Sequence, residues 1–106
     1  MKTIFEEYID KLNWAYLSSN PSLTPALIEK YIDKLFWRYL SENPALTPAL
    51  IEKYMGNWNW TLLSKNPSLT PALVEKYKVK VDWDSLSENP VIFAVDYGIV
   101  NHMGWA

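Results

Sequence analysis

Cysteine is absent from this chain, so disulfides and thiolate metal sites are excluded and no redox compartment can be inferred. Net charge is nearly absent as well. A formal charge of −2 and a pI near 5.3 give no broad attraction for a phosphate backbone or an anionic lipid surface. No apolar run is long enough to cross a membrane. The opening Met-Lys-Thr-Ile-Phe-Glu-Glu-Tyr also lacks the hydrophobic stretch of a secretion signal. The expectation is a soluble protein of the cytoplasm or of a host cell's interior, with no membrane or nucleic-acid partner. The one histidine, His102, has no acidic pair placed around it, so it reads as a tail residue, with no metal and no cofactor expected.

What the chain has in excess is repetition. Asn-Pro recurs at 20–21, 43–44, 66–67 and 89–90, a step of 23 residues. Trp14, Trp37, Trp60 and Trp83 keep that step, as do Leu17, Leu40, Leu63 and Leu86, and Tyr8, Tyr31, Tyr54 and Tyr77. Residues 8–30 and 31–53 match at 19 of 23 positions, differing only at 13/36, 15/38, 19/42 and 22/45. Self-similarity at this period is the signature of a repeat architecture. The single domain 1–106 therefore divides into a leading helix 1–12, repeats at about 8–30, 31–53, 54–76 and 77–98, and a tail 99–106.

Each unit reads as two short helices. A longer one starts at Thr24-Pro25, Thr47-Pro48 and Thr70-Pro71, where Thr caps a free N–H and Pro fits the first helical position. Leu23 with Ile28, Leu46 with Ile51 and Leu69 with Val74 hold the two positions of a hydrophobic staple. Leu27, Ile28, Tyr31 and Leu35 then form an apolar stripe at helical spacing. A shorter helix carries Trp-x-x-Leu-Ser, is capped by Asn13, Asn59 and Asp82, and ends at Asn-Pro. In the second unit the cap position is Phe36, which cannot cap. Helices this short do not persist alone in water, so each must lean on the next unit.

The predicted fold is all-α: a short α-solenoid of about four 23-residue helix-turn-helix repeats with a leading helix and an atypical C-terminal cap. A β-solenoid also suits an Asn row and stacked aromatics, but Thr-Pro followed by helix formers argues against it. A leucine-rich repeat lacks its alternating Leu strand signature here. The end segment Val91 to Tyr97 predicts a more apolar closing helix, and neither end is clearly polar, so end-to-end self-association is open.

The string Trp-x-x-Leu-Ser-x-Asn-Pro-x-Leu-Thr-x-x-Leu-Ile-Glu-Lys-Tyr resembles short tandem repeats found in proteins of giant DNA viruses and some bacteriophages. The ending Asn89 to Tyr97 resembles the terminal segment of such arrays, and the likeness runs from Tyr8 to Tyr97. It implies a stacked-helix fold and a viral or phage source, and brings no catalytic residues. Phe36 and Met55-Gly56-Asn57-Trp58 depart from the pattern.

The Trp series reads as the core anchor of each unit, with a stacking ladder for glycans or bases as the alternative. The Asn series reads as turn bonding. Ser18, Ser41, Ser64 and Ser87 recur without a base beside them, so they are not nucleophiles and no enzyme is expected. Lys76, Lys78 and Lys80 read as a solvated connector.

Most informative is where the units differ. One position runs Ala15, Arg38, Thr61, Asp84, and another, four residues on, runs Ser19, Glu42, Lys65, Glu88. Residues four apart share a helix face, so stacking turns these eight into a continuous strip, which is either an idle surface left to drift or a surface that contacts a protein partner of unknown identity. The expected function is a non-catalytic scaffold for protein–protein interaction. The alternatives are a small-ligand or glycan binder using Trp faces, or an engineered consensus array with no natural partner.

Overall fold

Short helices form here because all but one of the α-helix starts are chemically marked. The structure, a computed structural model, describes residues 1–94. Its helices are α1 (Ile4–Glu7), α2 (Trp14–Ser19), α3 (Pro25–Lys30), α4 (Trp37–Ser41), α5 (Pro48–Lys53), α6 (Trp60–Leu63), α7 (Pro71–Lys76) and α8 (Trp83–Leu86). Two 3-10 turns, Ile9–Lys11 and Pro90–Phe93, flank the series. Every regular element among the described residues is helical, so the all-α repeat fold holds.

The caps are the expected ones. Thr24, Thr47 and Thr70 accept the N–H of Leu27, Leu50 and Leu73, each at 3.2 Å, with Pro at the first helical position. Asn13, Asn59 and Asp82 accept from Tyr16, Leu62 and Ser85 in the other series. Phe36 heads α4 with no side-chain cap bond. The leading helix has a start that the sequence reading passed over. Thr3 and Glu6 form a reciprocal capping box, each satisfying a backbone N–H of the other. Two backbone groups are thereby paired, and the bond from the Thr3 N–H holds the Glu6 carboxyl below its usual pKa.

The Thr-Pro helices have six residues each, against six, five, four and four in the Trp-bearing ones, so the longer and shorter series are seen from the second unit on. The Thr-Pro helices stop at Lys30, Lys53 and Lys76, because the following Tyr leaves helical geometry (φ −114°, ψ 23° at Tyr31). The stripe residues Tyr31 and Leu35 therefore reach the core from a turn, closed by Leu35 N–H to Tyr31 O at 3.2 Å. Lys78 and Lys80 lie exposed in the corresponding turn, as expected of a connector, but Lys76 ends α7 and pairs with Glu52.

The units stack into a rod. Helix α2 packs on α4 and α4 on α6. The extents are 55 × 29 × 22 Å, and the 16.0 Å radius of gyration exceeds the ~13 Å of a compact domain of this length. One core runs through the stack. Ile28, Leu40, Ile51, Leu63 and Leu86 are wholly buried in it, each stabilising the fold by about 1.5–3 kcal/mol relative to exposure. The third unit's departure has a packing reason. Trp58 takes the place of Leu35, donates its indole N–H to Ile51 O at 2.8 Å, and meets Trp37 edge-on at 5.0 Å between ring centres. Gly56 beside it faces open space. The closing segment is a single 3-10 turn through Phe93, and the rest of the expected closing helix, with the tail 99–106, lies outside the described residues.

Candidate interaction surface

Each unit is bolted to the one before it by two side chains that the sequence repeats without change. Ser18 in α2 donates its hydroxyl to Trp14 O at 2.7 Å and accepts the Phe36 N–H from the next unit at 2.9 Å. Ser41 takes the Asn59 N–H and Ser64 the Asp82 N–H in the same way, each at 3.0 Å. The second bolt is the Asn of Asn-Pro. The Asn43 amide donates to Ser18 O and Asn20 O, Asn66 to Ser41 O and Asn43 O, and Asn89 to Ser64 O and Asn66 O, all at 2.9 Å. Each of these Asn side chains also accepts an N–H two residues on, from Ala45, Ser68 and Val91.

Among the described residues no buried side-chain polar atom lacks a partner. Such a buried, satisfied network fixes the register of the stack, because any slip would strand several polar groups at about 1–3 kcal/mol each. The expected turn bond of Asn is present, and the bond across units is the part that the sequence reading missed.

The repeating Trp residues lie against this core. Trp14, Trp37 and Trp60 are half-buried and tilt against Tyr31, Tyr54 and Tyr77 of the following unit at 5.5, 5.7 and 6.1 Å. Trp83 is 52% exposed. Trp105 and His102 lie outside the described residues.

Ala15, Ser19, Arg38, Thr61 and Asp84 lie in the Trp-bearing helices, whereas Glu42, Lys65 and Glu88 lie just past helix ends, because α4, α6 and α8 stop before the second varied position. Arg38, Thr61, Asp84, Ser19, Glu42, Lys65 and Glu88 are exposed, and Ala15 is half-buried. Neighbouring units bring some of them together. Lys65 Nζ lies 3.3 Å from Glu88 Oε2. Glu42 and Lys65, with Leu62 and Asn66, line a shallow groove of about 190 Å³. The Asp82 carboxyl is held below its usual pKa, first by the Ser85 N–H and then by the Thr61 hydroxyl of the unit before. The signs along the row are mixed: Arg38 and Lys65 positive, Glu42, Asp84 and Glu88 negative. Exposed pairs of this kind add little stability, about 0–1 kcal/mol each.

The opposite edge is more regular. Lys53 reaches Glu29 at 3.1 Å and Lys76 reaches Glu52 at 2.8 Å, each one unit back. Those bonds, and the attraction behind them, raise the pKa of both lysines. Lys30, Lys53 and Lys76 also sit 5.4–5.6 Å from the ring centres of Tyr31, Tyr54 and Tyr77. Among the described residues there is no group of three His, Cys, Asp or Glu side chains able to hold a metal, and no helix long and apolar enough to cross a membrane. No family model, no curated protein and no solved structure matches this chain.

Proposed function

We propose that the chain is a non-catalytic scaffold, one domain over residues 1–106, that binds a protein partner through the varied positions on α2, α4, α6 and α8 and just past the ends of the last three. A single observation supports this reading. The repeated Ser and Asn side chains at the joints are buried and bond a neighbouring unit, while seven of the eight varied residues are exposed. A row of exposed, mixed charges over a rigid stack is the kind of extended surface that solenoids present to partners. Specificity then comes from the order of charges, with Arg38 and Lys65 set among Glu42, Asp84 and Glu88.

The sequence resemblance adds a viral or phage source, and with it the cytoplasm or a host cell's interior as the compartment. Nucleic acid and membrane are left out of the reading, given a net charge of −2. The test is capture of partners from that source with the parent and with a variant in which Arg38, Glu42, Lys65 and Asp84 are all Ala. Loss of a captured protein with an unchanged melting temperature supports the strip. Retention of every captured protein removes it.

A further inference from the structure

The bolts that join units leave the two ends of the rod unlike and complementary. At the leading end, Asn20 is exposed. Its Oδ1 accepts the Ser22 N–H at 2.9 Å, as its counterparts accept theirs, but its amide has no acceptor among the described residues. The Asn13 backbone N–H, equivalent to the Phe36, Asn59 and Asp82 N–H groups that bond Ser, likewise has none there. Tyr16 is 78% exposed beside them, and with Leu12, Asn13, Leu17 and Asn20 it lines a groove of about 190 Å³.

The trailing end carries the acceptors. The Ser87 hydroxyl donates to Trp83 O at 2.8 Å, leaving a lone pair, as in Ser18 and Ser41. Asn89 O takes the Ile92 N–H at 3.1 Å, as Asn66 O takes the Leu69 N–H at 3.1 Å while also bonding the next Asn. Among the described residues nothing bonds the remaining sites on Ser87 Oγ, Ser87 O and Asn89 O. Between α7 and α8 a groove of about 150 Å³ is lined by Val74, Leu86, Val91 and Ile92 among others. One unit back, the counterparts of Val74 and Leu86, Ile51 and Leu63, are wholly buried.

We infer that a second copy of this chain stacks on the first head to tail. Asn13 N–H and the Asn20 amide of one copy bond Ser87 Oγ, Ser87 O and Asn89 O of the other. The leading segment, with Ile4 73% exposed and Phe5 half-buried, enters the groove beside Val74 and Leu86. The occupant is argued from the molecule itself. The same three bonds at the same 23-residue step already join unit to unit three times, and the ends are the two halves of that joint. The contact is heterologous, so it does not close on a dimer but continues as a rod. One unit's cross-section is a small contact of the weak, reversible class.

Sedimentation equilibrium on the full chain tests this, from micromolar to millimolar concentration. The expected result is an average mass that rises with concentration past twice the 12.4 kDa monomer without a plateau. Asn20→Asp keeps the bond to the Ser22 N–H but sets a carboxylate against carbonyl oxygens. It should hold the chain at monomer mass while the dilute protein melts as the parent does.

Direction is read by cross-linking. Lys65 and Glu88 mark neighbours one step apart, and the next step from Glu88 is Ser19 of the second copy. With a short bifunctional thiol reagent, a chain carrying both Ser19→Cys and Glu88→Cys should give a ladder of multimers. A chain carrying only one of them should give no such ladder. A concentration-independent monomer overturns the inference, as does a dimer plateau or efficient dimer formation by either single-cysteine chain. Association that persists unchanged in Asn20→Asp overturns the named bonds.

Discussion

Asn66 and Asn20 hold the same place in the repeat, yet they do different work. Asn66 is 1% exposed and makes three bonds, two of them to the unit before it. Asn20 is exposed and makes one, within its own turn. The contrast recurs at the other end of the rod. Trp60 is half-buried against Tyr77, while Trp83 is 52% exposed. Identical local sequence therefore does not fix a residue's energetic role in this fold. The neighbouring unit does, because the unit of stability is the joint between copies and not the copy.

Replacing the Asn at each site separates the two roles most sharply. Asn66→Ala strands Ser41 O in the interior and cuts the bond to Asn43 O. We expect a loss of about 2–4 kcal/mol from the stranded group and the missing bonds, a fall in melting temperature of roughly 10–25 °C for a domain of this size. Asn20→Ala removes a solvent-exposed turn bond, and its loss should be under about 1 kcal/mol. Equal effects in thermal melts of dilute protein would mean that the ladder carries no more energy than an isolated turn.

The Ser series gives a smaller version of the same contrast. Ser41→Ala takes away the acceptor of the Asn59 N–H, and a loss of about 1–2 kcal/mol should follow in urea unfolding. Ser87 is exposed and bonds only its own helix among the described residues, so Ser87→Ala should lie within ~0.5 kcal/mol of the parent. A larger loss at Ser87 than at Ser41 would reverse the assignment of interior and end.

These joints also mark the limit of what the sequence made legible. Cap chemistry is local, so Thr24, Thr47, Thr70, Asn13, Asn59 and Asp82 could be read directly, and the period of the repeat gave the stack. The exposed strip followed from the variation at residues such as Arg38 and Lys65. Helix length was misjudged because an apolar residue at helical spacing need not be helical. Tyr31 and Leu35 reach the core from a turn, and periodicity counts burial, not backbone angle. The Asn amide's second role was hidden for another reason. Its acceptors, Ser18 O and Asn20 O for Asn43, lie 25 and 23 residues back, and a main-chain carbonyl carries no side-chain signature. Thr3 with Glu6 was legible as a capping box and was passed over because the leading helix was compared with Thr-Pro starts.

The two interior units can be compared through their helix starts as well. Helix α6 begins at Asn59, whose side chain accepts the Leu62 N–H at 3.1 Å, whereas α4 begins at Phe36 with no side-chain acceptor. Phe36 meets Tyr39 edge-on at 6.4 Å and is 51% exposed. Phe36→Asn should therefore raise stability by about 0.5–1 kcal/mol, the worth of a cap less the exposed ring contact. A variant melting at or below the parent would show that the ring contact outweighs the cap.

The gentlest probe compares two capped units by acid. Asn59 cannot titrate, but Asp82 can, and its carboxyl is held below its ordinary pKa first by the Ser85 N–H and then by the Thr61 hydroxyl. A carboxyl whose pKa is lower in the folded chain than in the unfolded chain stabilises the fold above the unfolded value. That contribution fades as pH falls through the folded value, since the proton-bearing form is the weaker acceptor. Asp82→Asn keeps an acceptor at the helix start and removes the titration. The parent's lead over Asp82→Asn should thus be largest near neutral pH and should shrink through the acidic range. Thr61→Ala should narrow the same pH dependence without removing it, because the larger cause, the Ser85 N–H, remains. Parent and Asp82→Asn unfolding curves that run parallel from neutral pH into acid would show that the carboxylate gains nothing from the folded helix start.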